Sequence, residues 1–355
     1  MMKFVKDVFG GVVFFGLLAS VLPYLTEAAI GSRCAPPIVH PDRDLAGLAL
    51  LAEPALAATG AGPGRADFDT RWHDGKAELN GYRLTVERYG HPRIGRAVLI
   101  YVTEPFSRSK HVKVDDPSKN PADTFDALKL NLVRHFQTGI YDYSTMVSLF
   151  TRSSDFVPVK ATFTSAEWCG QVYEELNFDG ARLAERFFSY FENESSEQTL
   201  PAPADGVVED NLFILLRGLR EDFLAPGQKR SVPFLASAFY RRLTHQTLAW
   251  STATIERLSG SEMVRVPAGT FEAWVYVVKP ADGREGRFFI EREDPHRVLR
   301  WAWVPPPKAA TGRPHVLGGT DSGDLTGSSR LQYWKLHDQG DEKYLEALGL
   351  QPAVM

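Results

Sequence analysis

The sequence predicts a mainly β protein, an antiparallel curled sheet or incomplete β-barrel with one central short helix. Three observations carry this. From Trp72 onward apolar and polar residues alternate with period two, as where Leu128, Leu130 and Leu132 interleave with Lys129 and Asn131. Turn formers such as Asp179-Gly180, Pro267-Ala268-Gly269 and Asp282-Gly283 punctuate these runs at short intervals. One stretch alone, Leu212, Leu215, Leu216 and Leu219, has the i, i+3, i+4, i+7 spacing of a helix face. No strand–helix alternation is visible, which argues against a doubly wound fold. A long sheet of short strands has to curl or close to protect its edges.

The first element is not part of the sheet. Lys3 and Lys6 precede an uncharged run from Val8 to Leu25. Residues 1–31 therefore read as a signal peptide or N-terminal membrane anchor. Gly10, Gly11, Gly16 and Pro23 weaken the run as a permanent span, and small residues suited to cleavage stand at Thr26/Ala28 and Ala29/Gly31. Cys34 sits where a lipoprotein acceptor would, but Arg33 breaks the small-residue pattern before it. Residues 32–70 are an Ala/Pro/Gly-rich linker, with a short helix expected over Leu45–Ala52. Its Gly60–Gly64 stretch lacks the Gly-Lys-Ser/Thr of a phosphate loop.

Residues 71–355 are expected to form a single large antiparallel β domain. Lys76–Leu79 and Tyr82–Arg88 flank Asn80-Gly81 and are expected to form a hairpin, because Asn-Gly supplies the positive φ of a type I′ turn. Ala97–Thr103 and Ser144–Thr151 are further strands. Gln171–Phe178 and Arg182–Phe191 flank Asp179-Gly180 as a second hairpin. The helix is placed near Glu209–Glu221, N-capped by Asp210 and stopped by Ala225-Pro226-Gly227. Strands resume at Thr247–Arg257, Val264–Val266, Thr270–Val278, Arg287–Arg292 and Val298–Val304. The last of these puts Leu299, Trp301 and Trp303 on one face. Gly318–Ser329 reads as a Gly/Ser/Asp-rich loop, Leu331–Trp334 as a final strand and Glu342–Leu348 as a short helix.

Composition narrows the function classes. A 44% hydrophobic and 24% charged chain is that of a folded globular protein. Its 22 Phe, 12 Tyr and 7 Trp favour sheets. A net charge of −4 without any long Lys/Arg run argues against nucleic acid as the partner. Two cysteines, Cys34 and Cys169, are not a disulfide framework; one bridge between them is open in an oxidising compartment, and the ordinary reading of Cys169 is a small buried hydrophobe.

The order of parts over 209–304 resembles a family of uncharacterised periplasmic bacterial proteins. An acidic residue opens a short helix ending in a Leu-Arg pair, here Asp210 to Leu219-Arg220. A Pro-Gly turn follows at Pro226-Gly227, then a V-P-A-G-T-F-E turn and strand from Val266 to Glu272. An aromatic strand with an acidic turn, Phe289 to Asp294, closes the set. Trp72–Tyr89, Lys129–Tyr143 and Glu167–Gln171 resemble a larger exported subgroup, some of whose members carry the label septum-formation inhibitor. The Ser- and Arg-containing motif that opens a Maf-type nucleotide pyrophosphatase does not occur here. The resemblance implies a fold and a compartment, exported to the periplasm or held at the periplasmic side of a membrane. It supplies no catalytic residues.

Candidate chemistry is sparse. Trp168-Cys169-Gly170-Gln171 would need His135 or His245 as a base to act as a nucleophile. Glu78, Glu87 and Glu104 fall on strands, where a solvated sheet face is the ordinary reading against an acid/base pair. No His-x-x-x-His or Cys-x-x-Cys spacing calls for a metal, His73-Asp74 would need remote partners, and no cofactor is implied. Asp321-Ser322-Gly323-Asp324 offers oxygens to calcium or, more ordinarily, forms a polar loop. No Gly-x-Ser-x-Gly elbow is present. Tyr82, Tyr89, Tyr141, Tyr143, Trp168, Trp301 and Trp303 remain as candidates to line a ligand site, against the ordinary reading as core. The expectation is a non-catalytic envelope protein that binds a lipid, another apolar ligand or an envelope partner on its concave sheet face. An envelope hydrolase using Cys169 with a His, and a structural or assembly factor, are the competing expectations.

Overall fold

The period-two segments pair in chain order. The computed structural model describes residues 68–305 and 320–352. The expected signal peptide or anchor, Cys34 and the expected linker up to residue 67, with its helix at Leu45–Ala52, lie outside the described residues. The first eight strands are β1 (Ala77–Arg88), β2 (His91–Ser107), β3 (Thr124–Thr138), β4 (Tyr141–Arg152), β5 (Pro158–Glu167), β6 (Gly170–Asp179), β7 (Arg182–Ser189) and β8 (Ser196–Pro201). Seven more follow: β9 (Val207–Val208), β10 (Lys229–Leu235), β11 (Trp250–Val266), β12 (Gly269–Pro280), β13 (Glu285–Glu291), β14 (Val298–Val304) and β15 (Asp321–Leu331). All belong to one sheet of order β8-β7-β6-β5-β4-β3-β2-β1-β15-β14-β13-β12-β11-β10-β9. Every pairing is antiparallel except the short β9–β10 contact. Among the described residues three α-helices stand beside the strands: α1 (Phe68–Trp72), α2 (Leu212–Leu215) and α3 (Ala238–Thr244).

The chain itself forces the sheet to curl. Its two edges, β8 and β9, are consecutive in sequence and joined by residues 202–206 alone. Such a link reaches at most about 21 Å at full extension. Laid flat, the fifteen strands would hold those edges about 67 Å apart at ~4.8 Å per strand. The sheet therefore wraps round with its ends not hydrogen-bonded to each other, the incomplete barrel expected from the sequence.

Alternation then sorts residues between two faces. Tyr82, Leu84, Leu99, Tyr101, Leu130, Leu132, Trp301 and Leu325 point inward into the main core. α2 and α3 fill the space they enclose. Phe213 meets Phe288 and Trp301 edge-on at 5.5 and 5.3 Å, and the Tyr101 hydroxyl donates to its carbonyl at 3.0 Å. Outward-facing Ala77, Leu79 and Val102 form a second, smaller core with Leu348 and Leu350 of the C-terminal segment.

Several sequence expectations change. Asn80-Gly81 is not a turn, because β1 runs unbroken and Gly81 pairs with both Gly327 and Val98. Gly81 is required by close approach instead: a side chain there would collide with the Leu348 carbonyl, and one at Gly327 with the Ala347 carbonyl. The loop expected over Gly318–Ser329 is β15 over its described part, where Gly323 leaves room for the Trp301 ring. The Glu209–Glu221 helix shrinks to a 3-10 turn at Glu209–Asn211 and the single turn of α2; Gly218, at φ +59°, lies in the left-handed region that cannot continue it. α3 was not expected; Ser237 caps it, its hydroxyl accepting from the Phe239 amide at 3.2 Å. At the C-terminus, Leu331 ends β15, and Tyr333–Lys335 and Asp341–Leu348 are 3-10 helices.

Candidate functional site

The largest departure from the sequence expectation is which face of the sheet is available. On the concave face α2 and α3 occupy the interior. Clefts around α3 and the adjoining strands measure about 10, 20 and 90 Å³, room for a few waters at most. Tyr82, Trp301 and Trp303 are accordingly buried core. The Tyr82 ring packs on Trp301 at 4.8 Å and its hydroxyl donates to the Val298 carbonyl at 2.7 Å. Trp303 meets Phe288 at 5.9 Å. The other four candidates gather at one rim. The Tyr89 hydroxyl bonds those of Tyr141 and Tyr143 at 3.1 and 2.9 Å, and Trp168 lies 6.3 Å from Tyr141.

The convex face carries the site that sequence reasoning missed. The outward residues of β1, β2 and β3, among them Leu79, Val98, Ile100 and Val133, form an apolar floor. Tyr333, Leu345, Leu348 and Leu350 of the C-terminal segment form the facing wall. Between them is a groove of about 480 Å³. That lies within the roughly 300–1,000 Å³ of small-molecule pockets. The segment is seated on the Gly81–Gly327 pair by hydrogen bonds. Thr326 Oγ1 donates to the Leu348 carbonyl at 2.5 Å and Arg96 Nη1 to that of Gln351 at 3.1 Å. The rim is polar, with Arg96, His135, His337, Asp338, Asp341 and Glu342. Burial, with the Arg96 charge beside it, holds His135 below the ordinary histidine range. The rim carries both signs, Arg96 against Asp338, Asp341 and Glu342, so it can meet the polar end of a ligand with donors as well as acceptors. A single signal in the sequence pointed here: Gly81, a small residue between Asn80 and Tyr82 in an otherwise bulky strand.

Inside the sheet, buried charges are paired rather than exposed for chemistry. Glu78, expected on a solvated face, is fully buried. Its carboxylate accepts from Arg217 at 2.8 Å, Arg71 at 3.0 Å and Asn80 at 2.9 Å. Burial alone would raise its pKa; Arg217, Asn80 and Arg71 outweigh this and leave it below the ordinary value. Arg217 donates to the carbonyls of His296 and Pro295, both at 2.9 Å, and lies over the Tyr101 ring at 4.5 Å. Glu104 pairs with Lys129 at 2.8 Å. A second buried set joins α3 to β5 and β6: Arg241 Nη2 meets Glu174 at 2.5 Å and Arg242 meets Glu167 at 2.8 Å. Burial pushes Glu174 up to about 7 against the pull of Arg241, with neighbouring Glu185 adding to the rise.

The remaining sequence candidates are placed as follows. Cys169 is exposed at the β5–β6 turn, not a buried hydrophobe, and makes no hydrogen bond to a histidine among the described residues. His245 bonds Glu194 at 2.5 Å. Asp321 pairs with Arg134 at 3.0 Å, and Asp324 with Arg300 and Arg83 at 2.5 and 3.3 Å, so these carboxylates hold strands rather than form an open loop. His73 lies 3.7 Å from both Asp69 and Asp126.

No family model matches the chain, and no curated protein matches it. Among solved structures the chain is similar to a β-barrel-like protein of domain of unknown function DUF1849 from Brucella abortus, with 9% identity over 72% of this chain and 98% of that one and a TM-score of 0.42. It is also similar to a DUF1329 family protein from Desulfovibrio piger, with 11% identity over 80% of this chain and 97% of that one and a TM-score of 0.18.

Proposed function

We propose that the protein is a non-catalytic binding protein of the bacterial cell envelope, acting in the periplasm or at the periplasmic side of a membrane, and that an apolar ligand such as a lipid chain occupies the groove between the convex sheet face and the C-terminal segment. One observation carries this reading: a groove of about 480 Å³ with an apolar floor and wall and a polar rim. The Lys3/Lys6 and Val8–Leu25 pattern supports export. The small clefts on the concave face, where the sequence suggested the ligand, support the convex groove as its site instead. Native mass spectrometry with organic extraction, applied to protein purified from an envelope fraction, tests the proposal. A co-purifying lipid or other apolar mass, lost in Val133→Glu, is expected. A clean apo-protein that takes up no fatty acid or phospholipid would overturn it and favour an assembly role, to be pursued by crosslinking.

A further inference from the structure

In an antiparallel meander alternate turns fall at the same end of the sheet. The links after β1, β3, β5 and β7 therefore share one rim. Each presents a large apolar side chain to solvent: Tyr89 is 55% exposed, Ile140 79%, Trp168 70% and Tyr190 67%. On the opposite rim of the same eight strands the tips differ. The β6–β7 turn is Gly180-Ala181, and Val112 and Val157 are the large apolar side chains exposed in the other two links. Exposed Phe188 and Ile94 stand just behind the last and first tips of the apolar rim.

We propose that this rim is a membrane-docking edge, which places Tyr89, Ile140, Trp168 and Tyr190 in the headgroup region of a phospholipid bilayer. Successive tips are two strands, about 9.6 Å, apart along the sheet. They form separated prongs rather than the contiguous apolar centre that a protein partner buries. A fluid interface receives such prongs without matching pockets. Trp and Tyr suit that depth, since their rings are apolar and their N–H and O–H groups stay hydrated. Two of the prongs, Tyr89 and Tyr190, are held in place beforehand. The Tyr89 hydroxyl is bonded to Tyr141 and Tyr143, and the Tyr190 ring lies against Gly170, where any side chain would strike it. Ordering them therefore costs little on docking. Charge at the rim is mixed, with Arg88, His91 and Arg93 near the first tip and Asp142 and Glu194 near the others. A zwitterionic surface is thus sufficient. The inference stands on the tips and not on the occupant of the groove.

Cys169, beside Trp168, gives a direct reporter. The full chain carrying Cys34→Ser, labelled at Cys169 with an environment-sensitive fluorophore, is mixed with phosphatidylcholine vesicles containing nitroxide-labelled lipid. A blue shift with strongest quenching by nitroxides near the headgroup is expected. Ile140→Ser combined with Tyr190→Ser, both distant in sequence from the label, should remove most of that shift while circular dichroism stays unchanged. A label that stays water-like while the chain floats with vesicles would mean attachment elsewhere and overturn the proposal, as would absence of vesicle binding. A shift that appears without vesicles and grows with protein concentration would identify self-association instead, and also overturn it.

Discussion

Replacing Glu78 with Gln keeps the shape of the β1 side chain but leaves Arg217 charged inside the sheet. Both side chains are shielded almost completely from water, at 1% and 0% exposure. Breaking one partner of such a pair costs about 3–5 kcal/mol, since the remaining ion is stranded in a medium that solvates it poorly. Arg217 would keep two carbonyl acceptors at 2.9 Å and the face of Tyr101. This places the expected loss at the lower end, about 3 kcal/mol. For a domain of this size roughly 2–4 °C accompanies each kcal/mol, so the midpoint of thermal unfolding should fall by about 6–12 °C. Urea unfolding followed by tryptophan fluorescence measures the free-energy loss, and a thermal melt the fall in midpoint. Glu78→Leu with Arg217→Met, which removes both charges, should recover most of the loss. The sign with pH follows from the depressed pKa of Glu78. Its contribution is full above the ordinary carboxylate value and disappears as pH falls through the lower folded value. A loss below about 1 kcal/mol in Glu78→Gln, or a double variant no better than the single one, would refute the claim that this pair is desolvated and mutually dependent.

Other outcomes follow from the same geometry. Glu174 is pushed by burial from 4.5 to about 7, so the folded state holds a proton the unfolded state releases; stability should decline as pH rises through that window, and Glu174→Gln should flatten the decline in urea midpoints measured from pH 5 to 8. Gly81→Ala should lift the C-terminal segment from the sheet, at a cost of about 1–3 kcal/mol from overpacking, and speed tryptic cleavage at Lys335 and Lys343. Val133→Glu, on the half-buried groove floor, should abolish retention of an apolar ligand while shifting the unfolding midpoint little.

The strands were legible because one face of the sheet is buried along its length, which imprints period two on segments such as Leu128–Leu132 and Leu299–Trp303. Asp179-Gly180 was legible as a turn because Gly180 does adopt a positive φ, of +57°. Asn80-Gly81 misled for the converse reason: a glycine needed for close approach by a distant segment looks, in sequence, like one needed for φ. Gly323 and Gly327 turned a strand into an apparent loop in the same way. Glu78 was unreadable because its partner Arg217 lies far along the chain, and pairing at that separation leaves no local pattern. The groove was hidden for a related reason. Half of it belongs to β1–β3 and half to Tyr333–Leu350, and no periodicity connects them. Of the aromatic candidates, strand position identified Trp301 and Trp303 as one-faced but could not tell a filled concavity from an open one, because seven-residue α3 is too short to show more than one apolar i, i+4 pair, Phe239 and Leu243.

The central claim, that the apolar site is the convex groove, is tested most directly by photo-crosslinking with a diazirine fatty acid followed by peptide mapping. The account predicts saturable labelling of β2, β3 and the C-terminal segment, at residues such as Ile100, Val133 and Leu345, and its loss in Val133→Glu. Labelling concentrated on Phe213, Trp301 or other interior residues, or labelling that never saturates, would contradict it.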